Sequence, residues 1–351
     1  NVTFDSNTAI GGGAIFSSND NTTAAVLSLD IDGATFTNNS TGDIGSSDPM
    51  DGSGGAIGLG QFTTPTAVTA QITNATFTGN TADGDDNDQG GGAIYVGSAS
   101  TLTLTDAGGS VLIGGDDAAE ANTAQNGGGI FSAGTLTTLD TIGGSAISIG
   151  GNSAIRAGGG IEIFSGTANF STILIGDNLA GFAGNTAGVN GGGIHMTAGT
   201  LTMGTLAAPV GNFSEITGNT ATQEGGGLWI GAAATAILND DNGGPLIANN
   251  IAQGNAAPGA GGVDVQGGGG IFNDGGTLTI NDNVAGNQVT IRNNDATGAN
   301  FGSGGGILSI GGDVDITGPI IDKNSAIRTD GGVEVVRGKL DLTGVTLGAT
   351  A

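Results

Sequence analysis

The chain has 351 residues, of which 74 are glycine, 4% are aromatic and 11% are charged. Hydrophobic residues still make up 37% of it, which excludes the composition of a disordered chain and indicates a core of small side chains. Six basic against 32 acidic residues give a net charge of −26, which excludes nucleic acid and anionic membranes as partners because both repel it. Without cysteine or a run of 18 apolar residues, disulfides, thiolate metal sites and a transmembrane helix are excluded too.

The first element in chain order is the motif [Phe/Ile]-x-x-Asn, in which an apolar residue precedes an asparagine by three positions. Asparagine tolerates left-handed backbone and hydrogen-bonds neighbouring backbone groups, so we expect each of these asparagines at a corner. Only the copy around Asn122 lacks its apolar partner at this offset. The pairs are Phe4 and Asn7, Phe36 and Asn39, Phe77 and Asn80, Ile149 and Asn152, Phe182 and Asn185, Ile216 and Asn219, Ile247 and Asn250, Ile291 and Asn294, and Ile321 and Asn324.

The second element is a block of two to four glycines closed, in most copies directly, by an apolar residue. It recurs ten times at intervals of 26 to 43 residues, so it is a structural repeat and not a linker. Glycine accepts positive φ at a tight corner and lets neighbouring backbones approach closely. The apolar residues that close the blocks are Ile15, Ile57, Ile94, Ile130, Ile161, Ile194, Leu228, Ile271, Ile307 and Val333.

The third element is a short run in which aliphatic residues alternate with Thr, Ser or Asp. Such alternation places the aliphatic side chains on one face of a strand and the polar ones on the other. Clear examples are Thr101–Thr105, Thr200–Met203, Thr277–Ile280 and Leu340–Thr343.

One repeat therefore predicts three strands separated by turns, which is one coil of a parallel β-helix. We predict that residues 1–351 form a single all-β domain, a right-handed parallel β-helix of about ten three-stranded coils. The turns absorb the variable repeat length, so a local function is expected there.

With these motifs throughout, the sequence resembles the polymorphic outer-membrane proteins and, more broadly, β-helical passenger regions of autotransporter adhesins. Phe77 to Asn80 and Gly90 to Ile94 are representative matches. The resemblance implies a right-handed β-helix, an extracellular location at a bacterial cell surface and a structural or adhesive role. It is carried by motifs of the coil itself, which specify fold strongly and activity weakly.

Acidic turns are the candidate metal site. Asp83, Asp85, Asp86, Asn87 and Asp88 lie within six residues, and alternate carboxylates supply the hard oxygen ligands that Ca²⁺ prefers. The turn lacks the glycine and the glutamate of a calcium-binding helix–loop–helix, so a solvated acidic loop is the competing interpretation. Further ligands are expected from the preceding turn, with Asp43, Asp48 and Asp51, and from the following one, with Asp116, Asp117 and Glu120. Calcium is the only cofactor predicted.

Catalysis is the alternative function, because β-helices also include polysaccharide lyases and hydrolases, and a glycan-binding module belongs to the same alternative. Such sites need clustered charges and aromatic platforms for sugar rings. Tyr95, His195 and Trp229 each follow the residue that closes a glycine block, so they share one outward or lateral position on different coils. We interpret them as scattered strand residues and predict no catalytic residue.

The chain begins inside one [Phe/Ile]-x-x-Asn strand and stops where the next would start. Uncapped solenoid ends expose strand edges, which favours end-to-end pairing. We therefore expect the coils to continue in a longer chain or in a second copy, the latter forming a surface filament. A host surface or a glycan is the other partner expected.

Overall fold

The chain folds into stacked coils of short parallel strands. The computed structural model describes residues 2–18, 27–45, 50–60, 67–139, 146–177, 179–204, 214–240, 243–254, 266–282, 288–298 and 302–348. In these residues, parallel strands form three sheets, of 25, ten and two strands. No helix occurs among the described residues, so this part of the chain has no helix that could cross a membrane. Ten coils account for the ten-stranded sheet, which confirms the predicted parallel β-helix. The crossover rule for parallel strands makes it right-handed.

Equivalent strands of successive coils stack into four columns. We number the columns in chain order, and the first column contains the strand that directly follows each glycine block. Long strands turn the corner between two columns without a break. Those that pass from the first column into the second are Ile194–Met203, Leu228–Asn239, Ile271–Asn281 and Ile307–Thr317, and those that pass from the second into the third are Leu27–Thr37 and Val68–Thr78.

The remaining strands belong to one column each. The first column adds Ile15–Ser17, Ile57–Leu59, Ile94–Val96, Ile130–Ser132, Ile161–Ile163 and Val333–Val335. The second adds Thr101–Thr105, Thr135–Leu139, Thr167–Phe170 and Lys339–Thr343. The third adds Val2–Asp5, Val111–Gly114, Ile147–Gly150, Leu174–Gly176, Glu215–Thr217, Leu246–Ala248, Thr290–Arg292, Ile320–Asp322 and Thr346–Leu347.

The fourth column consists of very short strands and was not expected from the sequence. It contains Thr8–Ala9, Ser40–Thr41, Thr81–Ala82, Thr123–Asn126, Ser153–Ala157, Thr186–Ala187, Thr220–Ala221, Ile251–Ala252, Asp295–Ala296 and Ser325–Ala326. Gln266–Gly267 and Gly302–Ser303 form the separate two-stranded sheet. In eight of the ten coils the fourth-column strand has two residues, which are too few for an alternating pattern to stand out in a sequence.

The core consists of aliphatic and aromatic side chains stacked in register from coil to coil. The ten residues that close the glycine blocks are aligned directly on one another, from Ile15 to Val333, as predicted. In the third column the rings of Phe4, Phe36 and Phe77 stack with centroids 4.8 and 4.6 Å apart. Phe4, Ile15 and Val333 are partly buried, and the stacked side chains between them are buried and fill the interior.

Two assignments in the third column need correction. Ile113 fills the position that was missing before Asn122, because it pairs with Phe77 on one side and Ile149 on the other. Ile175, and not Phe182, occupies the core position before Asn185. In both coils a turn separates the core strand from its asparagine, so a fixed offset of three residues does not apply.

The motif asparagines form a continuous buried ladder. In each of nine successive links, the side-chain N–H of one asparagine donates to the Oδ1 of the asparagine in the next coil, at 2.8–3.0 Å. The ladder consists of Asn7, Asn39, Asn80, Asn122, Asn152, Asn185, Asn219, Asn250, Asn294 and Asn324. In eight of these links the backbone N–H of the same asparagine donates to that oxygen at 3.0–3.1 Å, and from Asn122 it does so at 3.3 Å.

The left-handed backbone predicted for these asparagines belongs to the residue before them in most coils. Asn38, Asn249 and Asn293 have φ of 54°, 57° and 53°, and Gly218 has φ of 67°. The ladder asparagine that follows turns its side chain into the protein and is fully buried from Asn39 to Asn294. The corner is therefore built by two residues with separate roles.

Glycine is required where coils approach most closely. A Cβ on Gly192 would collide with the carbonyl oxygen of Gly226 in the next coil and with the backbone of Thr220, 2.6 Å away. The close approach of backbones thus explains the central position of the glycine block.

Candidate functional site

A row of side chains follows the first column on its outer surface. Tyr95, Phe131, Glu162, His195, Trp229 and Phe272 occupy the same position in six successive coils, and we call them the lateral row. The sequence placed Tyr95, His195 and Trp229 at one lateral position, and the register agrees. Instead of being scattered, they are joined by Phe131, Glu162 and Phe272 into one continuous row.

The lateral row is more buried than an outward position suggests. Tyr95 and Phe131 stack at 5.2 Å and are covered by Met50 from the turn of an earlier coil. Glycine makes room for the row, because a Cβ on Gly225 would lie 2.9 Å from the Cβ of Trp229. The glycine block thus positions the lateral side chains as well as the coils.

Charged groups meet in the middle of the row. His195 Nδ1 lies 2.7 Å from Glu162 Oε2, and Thr197 donates to the other oxygen of Glu162 at 2.8 Å. Both side chains of this pair are shielded, with 12% of His195 and 2% of Glu162 exposed. Trp229 Nε1 donates to Glu224 Oε2 at 3.1 Å.

Burial raises the pKa of two carboxyl groups beside the lateral row, those of Glu224 and Asp274. It raises the pKa of Glu224 from its ordinary 4.5 to about 7, with Asp274 adding to the rise and the Trp229 hydrogen bond and His195 opposing it. Burial also raises the pKa of Asp274, against the opposing charges of Arg337 and His195. We call Glu162, His195, Glu224 and Asp274 the carboxylate–histidine cluster.

Glu224 can exchange a proton near neutral pH, but the aromatic rings beside it are not free to bind a sugar. One face of Trp229 stacks on His195, with centroids 4.3 Å apart and planes 12° apart. Its other side faces Phe272 at 6.4 Å with nearly parallel planes. Because neighbouring coils occupy both faces, Trp229 offers an incoming ring only its edge.

A shallow groove lies elsewhere, on the outer face of the second column. Its volume is about 360 Å³, and Asp30, Asp32, Gln71, Thr73 and the turn at Ala107 line it. It is separate from the carboxylate–histidine cluster, so the proton-exchanging groups and this groove do not form one site.

The predicted calcium residues lie at the turn between the fourth column and a glycine block. Asp83, Asp85, Asp86 and Asn87 are exposed, and Asp88 is half-buried. The backbone of this turn is fixed by the next coil, because Asn126 donates to the carbonyl oxygens of Asn87 and Gln89 at 3.3 and 3.2 Å. The turn is thus held in place with its carboxylates toward solvent, and calcium binding there stays a prediction.

The other acidic residues named with this turn lie at two places. Asp51 is in the equivalent turn of the preceding coil, where its Oδ1 accepts from the Ile44 N–H at 3.0 Å, and Asp48 lies outside the described residues. Asp116, Asp117 and Glu120 lie at the corner before Asn122. Among the described residues they form the one group of three carboxylates with oxygens within 4.8 Å of one another.

Only part of the carboxylate–histidine cluster could be predicted from the sequence. Glu162 follows Ile161 as Trp229 follows Leu228, so its lateral position could be predicted from the repeat. Glu224 and Asp274 lie before and after the repeated strand positions. Their approach depends on turn conformation, which the repeat pattern does not specify.

Comparison with known proteins adds one match. Residues 1–18 and 74–97 match the model of the Chlamydia polymorphic membrane protein (Chlamydia_PMP) repeat. Each stretch runs from a third-column phenylalanine through a ladder asparagine to a glycine block. Curated proteins and solved structures gave no significant match. The family is associated with the outer membrane and the cell surface and is not known as enzymatic. The chain is a repeat protein, and in these two stretches its repeat is similar to that of the Chlamydia polymorphic membrane proteins.

Proposed function

We propose that this chain is a non-catalytic structural and adhesive module at the surface of a bacterium. The asparagine ladder is the observation that carries this proposal, because it ties ten coils together through their interior. Asn39 to Asn294 are fully buried in it, and nine links connect the rungs without a gap. Such a core favours a stiff rod whose outer faces and turns meet the surroundings.

The outer turns support the same role. The acidic turn at Asp83 to Asp88 lies outside the strands and is held by hydrogen bonds from Gln125 and Asn126 of the next coil. Side chains on these turns vary without disturbing the core, which suits contact with a host surface or a glycan.

The ladder also favours head-to-tail assembly. Every link has one polarity: N–H groups of one asparagine donate toward the next coil, and Oδ1 accepts from the preceding one. The coil at one end of a rod has an asparagine Oδ1 acceptor without a donor, and the coil at the other end has asparagine N–H donors without an acceptor. Two rods can therefore join head to tail, whereas two identical ends cannot pair. Repetition of this contact yields a filament.

Electron microscopy together with analytical ultracentrifugation of the 351-residue chain tests the proposal. We expect rods that associate end to end as concentration rises, with binding to bacterial or host surfaces spread over faces and turns. Monodisperse single rods at all concentrations, with and without a calcium chelator, would contradict assembly. Absence of any surface binding would contradict adhesion.

A carbohydrate-active β-helix is the second candidate, and the carboxylate–histidine cluster favours it. Glu224, with its pKa near 7, lies beside a Glu162–His195 pair on consecutive coils, as a general acid–base site requires. Screening of acidic and neutral polysaccharides for cleavage tests it, with Glu224→Gln as the variant. Cleavage that Glu224→Gln abolishes would establish the enzyme, and cleavage unaffected by Glu224→Gln would exclude this cluster as its site.

A further inference from the structure

A flat array of threonines covers the outer face of the second column. In seven successive coils the same outward position is threonine, and the residues are aligned directly: Thr69, Thr101, Thr135, Thr167, Thr200, Thr235 and Thr277. Two positions further along, a second row contains Thr103, Thr137, Asn169, Thr202, Ile237 and Thr279. We call the two rows the threonine face.

The threonine face is regular in two directions. Neighbouring parallel strands lie about 4.8 Å apart, and residues two positions apart on one strand lie about 6.6 Å apart. The register shifts between Met196 and Ala198 and between Ile230 and Thr235 occur at the corner before the face begins. Hydroxyl and methyl groups therefore repeat on a nearly rectangular grid, and buried side chains such as Leu102, Leu136 and Leu201 stack beneath it.

The hydroxyl groups of the face take no part in the hydrogen bonding between described residues. The threonines are half-buried or exposed, and within the described part of the chain none of their hydroxyls bonds to another protein group. In the fourth column, by contrast, Thr81 and Thr123 hydroxyls pair across coils at 3.1 Å. The high strand propensity of threonine explains its presence at each position. It does not explain why the hydroxyls of two aligned rows have no hydrogen-bond partner among the described residues.

Charge is excluded from the face although the chain carries −26 overall. From Thr101 to Thr279 both rows are neutral, whereas Asp30 precedes them and Asp313 and Asp315 follow them in the same rows. Aromatic residues are absent from both rows, and the ring faces of Trp229 are covered elsewhere in the protein. The face thus lacks the aromatic residues that are enriched in protein interfaces and the ring platforms of a polysaccharide site.

From this grid we infer that the threonine face binds ice. A repeating array of neutral groups, all threonine in the first row and mostly threonine in the second, is complementary to a partner that itself repeats in two dimensions, and crystalline water is such a surface. Each hydroxyl binds one water molecule, and each methyl group restricts the orientation of the water molecules next to it. The face thus presents ordered water that joins the ice crystal. This inference concerns a different surface from the end-to-end contacts and does not depend on them.

Thermal hysteresis and ice-crystal shaping of the complete 351-residue chain test the inference. We expect a gap between melting and freezing points, faceted crystals and inhibited recrystallisation. Thr167→Tyr, which projects a ring from the middle of the face, is expected to lower the hysteresis severalfold. The matched control, Thr186→Tyr in the exposed part of the fourth column, is expected to leave it unchanged.

Folding of each variant is checked by circular dichroism and its unfolding midpoint, and Thr167→Val provides a variant of nearly the same shape without the hydroxyl. Wild-type chain that neither shapes ice nor delays freezing would overturn the inference. Equal activity of Thr167→Tyr and wild type would overturn it as well. Binding to crystalline cellulose or chitin, lost in Thr167→Tyr and without any effect on ice, would assign the face to a polysaccharide instead.

Discussion

Replacement of Asn219 by alanine removes one rung of the asparagine ladder. Asn219 Oδ1 accepts from the backbone N–H and the side chain of Asn185 at 3.0 and 2.9 Å. Its amide N–H groups donate to the Ile175 carbonyl and to Asn250 Oδ1, both at 3.0 Å. Alanine leaves two donors of Asn185 and one carbonyl without partners in a fully buried site.

Each buried polar group without a partner costs about 1–3 kcal/mol, and three such groups with some relaxation give an expected loss of about 4 kcal/mol. Chemical unfolding followed by circular dichroism measures the change, with Trp229 fluorescence reporting the adjoining coil. Because solenoids can unfold in segments, hydrogen exchange should also show protection lost first in the coils of Asn185 and Asn250.

Asn169→Ala is the matched control, since Asn169 lies half-buried on the outer face of the second column. We expect it to change stability by less than about 0.5 kcal/mol, as surface substitutions usually do. Asn219→Asp keeps the acceptor but buries a charge, so it should recover stability as pH falls and the carboxyl regains a proton to donate. Equal small losses for Asn219→Ala and Asn169→Ala would refute the structural role of the ladder.

Three further predictions follow from burial, charge and close packing. The pKa of Glu224 rises on folding from 4.5 to about 7, so its contribution to stability is complete below pH 4.5 and is lost as pH rises through 7. In Glu224→Gln the free energy of unfolding should fall less as pH rises from 4.5 to 7, by up to about 3 kcal/mol, as measured by chemical unfolding at a series of pH values. Calcium should bind at the acidic turn and raise the unfolding midpoint, and Asp85→Asn with Asp86→Asn should weaken the binding seen by calorimetry; no heat of binding would refute this. Gly192→Ala should destabilise the rod by more than 1 kcal/mol because its Cβ meets backbone, whereas Gly332→Ala has open space; equal unfolding midpoints would contradict the packing argument.

Repetition explains why so much of the fold was predictable from sequence. The first-column residues from Ile15 to Val333 were identified one by one, because a glycine block marks each corner with the same backbone requirement. The third column was predictable only where its strand and its asparagine are separated by a three-residue step. Ile113 and Ile175 were missed because a turn of variable length intervenes.

The candidate site was less predictable, since it depends on contacts between coils and not on the coil motif. Tyr95, His195 and Trp229 were placed together by their common position, and Glu162 has the same signal. Glu224 reaches Trp229 from a turn, and its perturbed pKa results from burial that no single repeat encodes. The alternation of threonine with aliphatic residues is visible in the sequence. The alignment of these threonines into a face depends on the register between coils, which the structure shows.

Distances between spin labels across the coils test the central claim most directly. The chain has no cysteine, so pairs introduced at Thr69, Thr200 and Thr277 can be labelled without background. The register places Thr200 four coils and Thr277 six coils beyond Thr69. At about 4.8 Å per coil, pulsed electron paramagnetic resonance should give about 19 Å and about 29 Å. Distances that do not increase by one strand spacing per coil, or broad distributions for both pairs, would contradict the stacked β-helix.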